Sequence, residues 1–184
     1  MLALLLTLSL MGPIVAEPAP APSGLVLEVA APPPTKVRLP VALDIRLVNR
    51  GPKATWVVKP GDGSEVGWRE PWVWFEAEHR TASGTWEKLP TPQLGRCGLY
   101  DPNWEKDALE LAPGASIPIK DWMPDVMQAF QMKPGIYRVV VHYAFRGGAT
   151  KGHIPAPGPR RVMVDVAPFE VVSAPVEITI IDWK

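Results

Sequence analysis

Apolar and polar positions in the second half of the chain alternate with a two-residue repeat. From Ile136 to Phe145, the side chains of Tyr137, Val139, Val141, Tyr143 and Phe145 fall on one face, and those of Ile136, Arg138, Val140, His142 and Ala144 on the other. One uniformly apolar face beside a mixed one is the pattern of an antiparallel strand that covers a core on one side. Pro134-Gly135 precedes this run, with Pro presetting φ and Gly supplying conformations closed to other residues, which marks a turn. Leu111-Ala112-Pro113-Gly114-Ala115-Ser116, ahead of Ile117-Pro118-Ile119, repeats the same turn-then-strand arrangement.

The same periodicity predicts further strands. Leu25, Leu27 and Val29 point inward from a first run, and Val41, Leu43, Ile45 and Leu47 from a second, whose Asp44 and Arg46 point outward. Residues 55–59 follow the Asn49-Arg50-Gly51 turn, and 72–78 with 85–89 read as a hairpin through Ala82-Ser83-Gly84. Residues 107–111, 116–120 and 176–180 complete the set. Residues 125–132 (DVMQAFQM) read as one short helical turn with Asp125 near its start. About seven to nine short strands with almost no helix indicate an all-β chain folded as a two-sheet antiparallel sandwich. Two long Gly/Pro-rich loops, 60–71 and 147–168, interrupt it, and loops of that length are often functional.

Composition narrows the setting. The 184 residues suit one domain, and 47% hydrophobic content supplies a core. Nineteen basic and nineteen acidic residues cancel, so nothing resembles the basic stripe of a nucleic-acid binder. Residues 1–16 (MLALLLTLSLMGPIVA) read as a cleavable signal peptide, although no Lys or Arg precedes the apolar run. Residues 17–24 form a Pro/Ala spacer, and 25–184 the folded domain. The expected location is therefore periplasmic or extracellular, with no integral membrane segment after cleavage. Cys97 is the single cysteine, which excludes an intramolecular disulfide. It reads as a small buried side chain within Gly95-Arg96-Cys97-Gly98, with a reactive or bridging thiol as the alternative.

Three segments together carry a resemblance: a strand ending in Val48-Asn49-Arg50-Gly51, the Leu111-Ala112-Pro113-Gly114-Ala115-Ser116 turn, and Pro134-Gly135-Ile136-Tyr137-Arg138-Val139. They resemble the immunoglobulin-like accessory domains of exported bacterial proteins, including uncharacterised secreted ones. The stretch from Gly95 to Asp107 looks similar to the same group, and the resemblance covers most of residues 25–181. It implies an immunoglobulin-like fold and an exported setting. It also implies that Tyr137 stands where such domains often carry a tyrosine corner, its hydroxyl bonded to nearby backbone.

No motif specifies a reaction. His79, His142 and His153 show no metal-binding spacing, and no serine lies in a GxSxG elbow. The carboxylates around Pro102-Asn103-Trp104 lack the order of a calcium loop. No enzymatic activity, cofactor or metal is expected. Eight tryptophans are many for this length, and Trp56, Trp68, Trp72, Trp74 and Trp86 crowd one third of the chain. If Val73, Phe75 and Ala77 face inward, Trp72 and Trp74 face outward beside Glu76, a pattern that can stack on sugars or anchor a protein. The expectation is a binding or accessory module that contacts an envelope protein or polysaccharide through Trp72, Trp74 and Glu76. The alternatives are a proteinase inhibitor presenting Arg160 and Arg161 on the 147–168 loop, and a purely structural envelope domain.

Overall fold

The computed structural model describes residues 24–41, 43–59, 72–91, 108–119, 130–145, 166 and 168–183. Among them are eleven strands: β1 (Leu25–Ala30), β2 (Thr35–Lys36), β3 (Asp44–Asn49), β4 (Thr55–Val58), β5 (Trp72–Arg80), β6 (Trp86–Lys88), β7 (Ala108–Leu111), β8 (Ser116–Pro118), β9 (Gly135–Phe145), β10 (Phe169–Val172) and β11 (Val176–Ile181). The chain is all-β. One sheet runs β1-β3-β8, a second runs β2-β11-β9-β5-β6 with β10 also on β9, and β4 pairs with β7. This arrangement is consistent with a sandwich. The pairings are antiparallel except that of β2 with β11.

The alternation predicted for β9 sets the core. Tyr137, Val139, Val141, Tyr143 and Phe145 are all buried, as are Val73, Phe75 and Ala77 on β5, and Ile178 and Ile180 on β11. Leu25, Leu27, Ile45 and Leu47 enter the same cluster from the three-stranded sheet. Because a strand's side chains alternate, burying this face of β5 and β9 turns Trp74, Glu76, Glu78, Arg138 and His142 to the opposite face.

One departure from the sequence reading has a local cause. β10 and β11 together form the partner of β9, broken by a bulge. Val172 pairs with His142 and Val176 with Val139, so four steps on one strand match three on the other. Ser173 fills the gap: the Val141 N–H donates to its Oγ at 2.9 Å, and its own N–H donates to the Val141 carbonyl at 2.9 Å. The bulge hides the strand from a two-residue repeat, because inward positions change from Val171 to Ile178 across it. The helical turn expected at 125–132 falls mostly outside the described residues, which omit 125–129. Of those described, Phe130 is helical and Gln131 takes φ 50°, where a right-handed helix cannot continue.

Two turn residues explain how distant segments are tied together. Asn49 at the end of β3 is wholly buried. Its Nδ2 donates to the Lys53 and Leu111 carbonyls, each at 2.8 Å, and its Oδ1 accepts the Gly51 N–H at 2.9 Å. Its main chain bonds Gly114 and Ala115, so the Asn-Arg-Gly and Pro-Gly motifs meet at one corner. Gly114 takes φ 77° there, which an L side chain rarely adopts. Tyr137, at the start of β9, donates its hydroxyl to the Lys133 carbonyl at 2.8 Å and accepts the Lys133 N–H at 3.0 Å. Burial pushes this phenol above its ordinary 10.0, and the bond from Lys133 opposes the shift.

Candidate functional site

The face of β5, β6 and β9 turned away from the core is where chemistry-bearing side chains collect. Register decides which of them meet. Trp74 lies directly opposite His142, Glu78 opposite both Arg138 and Lys88, and Arg80 opposite Trp86. Directly opposed residues on one face hold their Cβ atoms about 5 Å apart, so each of these pairs is within side-chain reach.

Two aromatic contacts organise the face. The Trp74 and His142 rings stack with centroids 4.6 Å apart and planes 11° from parallel. The guanidinium carbon of Arg138 lies 3.9 Å from the centre of the Trp86 ring, a cation–π contact. Ion pairs run between them: Lys88 Nζ to Glu76 Oε2 at 3.0 Å and Arg138 to Glu78 Oε2 at 3.3 Å. On β10, Glu170 brings Oε1 within 3.4 Å of His142 Nδ1. That last distance is long for a hydrogen bond, so the contact is a weak one.

Exposure grades across the sheet. The His142 and Glu170 side chains are 14% and 19% exposed, against 59% for Lys88 and 41% for both Glu76 and Glu78. The β6–β5 end is therefore the open end of the face. Among the described residues, two nitrogen atoms, Arg138 Nε and His142 Nε2, are buried with no hydrogen-bond partner. Buried polar atoms are rarely left this way, and each costs about 1–3 kcal/mol unless something satisfies it.

Of the residues singled out from the sequence, Trp74 and Glu76 lie on this face as expected. Trp74 nevertheless spends one side of its ring on His142, and Glu76 is engaged with Lys88. Trp72 pairs through its backbone with Ala144, and its side chain lies outside the described residues, as do Arg160 and Arg161 and most of the 60–71 and 147–168 loops. Sequence reasoning missed Trp86, Arg138 and Glu170 as members of the site. Their meeting depends on cross-strand register, for which the order of residues carries no direct mark. Among the described residues, no group of three His, Cys, Asp or Glu side chains could hold a metal ion. His79 lies on the other side of β5, 4.9 Å from the Tyr137 ring centre. No helix among the described residues is long and apolar enough to cross a membrane.

Comparison with protein-family models, with curated proteins and with solved structures finds no match to this chain.

Proposed function

We propose that this chain is a non-enzymatic exported binding or accessory module of immunoglobulin-like architecture, contacting an envelope protein or polysaccharide through the outer face of β6, β5 and β9. Three observations support the architecture. The order β1-β3-β8 facing β2-β11-β9-β5-β6 matches the division of such domains into two sheets. The Tyr137 hydroxyl returns to the backbone of Lys133, as a tyrosine corner does. The Asn49 corner joins two of the sequence motifs on which the resemblance rests. Export is supported by the apolar leader at residues 1–16 and the spacer behind it.

The observation that carries the binding reading is the alignment of Trp74, Trp86, Arg138, Glu76, Glu78 and Lys88 on one face, where the core makes no use of them. Exposed ion pairs add little stability, so holding so many together on one face favours recognition over structure. The test is affinity capture from the source organism's own envelope extract with the full chain and with a Trp74→Ala/Trp86→Ala variant. The variant is expected to lose the ligand that the unmodified chain retains. Equal retention by both would remove this face from consideration.

A further inference from the structure

We infer that the open end of this face, formed by Trp86, Lys88, Glu76, Glu78 and Arg138, takes an uncharged polyhydroxylated ligand, namely a neutral polysaccharide. The inference rests on the binding reading above and narrows it to one chemical class.

Charge is the first argument. An anionic polymer is held by cations that have no counter-charge of their own. Here Lys88 faces Glu76 and Arg138 faces Glu78, while Glu177 on β11 lies directly opposite Arg138. The chain as a whole carries no net charge. Arg80, 5.9 Å from the centre of the Trp86 ring, is the third cation of this end, so among the described residues three cations stand against three carboxylates and neither sign is in excess. A protein partner would need an apolar anchor to desolvate, and would bury both ion pairs at a cost. Among the described residues, the large apolar side chains exposed on the outer side of this sheet, Val172 and Ile181, belong to β10 and β11, away from the open end. A sugar chain makes a wet contact and leaves the pairs hydrated.

Hydrogen-bonding capacity is the second argument. The open end interleaves carboxylate acceptors with ammonium and guanidinium donors, and a hydroxyl group serves both because it donates and accepts. Arg138 Nε is a donor without a partner, beside the Trp86 indole. A pyranose ring that stacks on Trp86 in place of the guanidinium frees Arg138 to direct Nε–H at a ring hydroxyl. The indole exchanges one stacking partner for another, and the orphaned donor gains an acceptor.

Affinity electrophoresis of the full chain through gels containing hydroxyethylcellulose, glucomannan, laminarin or dextran tests this, with polygalacturonate as the anionic arm. Retardation by at least one uncharged polymer is expected, undiminished by raised salt. A change in intrinsic fluorescence should accompany it and disappear in Trp86→Phe. Trp86→Ala and, with less risk to folding, Glu78→Gln should each weaken retardation by about tenfold. Absence of retardation in all four uncharged gels overturns the inference, as does salt-sensitive retardation by polygalacturonate alone. If the chain ignores every glycan yet captures an envelope protein that the Trp74→Ala/Trp86→Ala variant loses, the ligand class falls and the face reading stands. If the variant captures that protein undiminished, both fall.

Discussion

The Asn49 corner and the outer face of β5, β6 and β9 are both polar regions of an all-β chain, and they are built on opposite terms. Asn49 is wholly buried, with both amide donors and its oxygen bonded to main chain at 2.8–2.9 Å. The outer face joins side chain to side chain, leaves its carboxylates 41% exposed at the open end, and holds two buried nitrogens without a partner among the described residues. Polar groups that fix a fold answer to backbone and leave nothing over. Polar groups that bind keep some capacity in reserve. The contrast predicts that substitutions at the corner act on stability, and those on the face act on binding. Asn49→Ala should give the largest loss, about 3 kcal/mol, because it strands the Lys53 and Leu111 carbonyls and the Gly51 N–H together. Urea denaturation measures it, and a loss no greater than that of a face variant would dissolve the distinction.

Ser173 belongs with the corner by this criterion. Its hydroxyl replaces a strand carbonyl opposite Val141 in a buried bulge, so Ser173→Ala leaves the Val141 N–H without an acceptor. The expected cost is about 2 kcal/mol, with faster amide exchange at Val141 than at Val139, whose strand pairing is regular.

What the sequence could reveal divides along the same line. Alternation identified β9, β5 and β3 and their inward residues, since burying one face imposes a two-residue repeat that the order of residues must carry. The Asn-Arg-Gly and Pro-Gly turns were legible for a similar reason, because local backbone geometry demands those residue types. β10 was missed at its bulge, and β2 is too short to show a period. Trp74 and Glu76 could be assigned to the outer face by parity alone. The partnership of Trp86 with Arg138, or of His142 with Glu170, could not, because parity gives a face and only register gives neighbours.

Tyr137 extends the corner's behaviour to pH. Removing its hydroxyl in Tyr137→Phe abolishes both bonds to Lys133 and should cost about 1 kcal/mol at neutral pH. The folded chain holds the phenolic proton more tightly than the unfolded chain does, since burial raises its titration above 10.0. A raised value gives stability that is complete below the ordinary value and lost as pH climbs through the folded one. The unmodified chain should therefore lose stability on the alkaline side of pH 10 more steeply than Tyr137→Phe. Parallel alkaline limbs in the two proteins would show that Tyr137 contributes no such dependence.

The smallest stability effects belong on the face, and they sharpen the comparison most. Lys88→Met and Glu78→Gln each remove one member of a pair whose side chains are 30–59% exposed, where water already screens the attraction. Each should change unfolding free energy by less than about 0.5 kcal/mol, and a double-mutant cycle on Glu78 and Arg138 should return a coupling of similar size. Arg138 is the informative case. It loses an ion pair and an indole contact on substitution, but it also sheds an unsatisfied nitrogen, so Arg138→Met should be close to neutral or slightly stabilising. A loss above about 2 kcal/mol would make Arg138 a structural residue like Asn49. A neutral result would mean that Arg138 can be replaced without loss to the fold, as expected of a group whose main role is to meet a ligand.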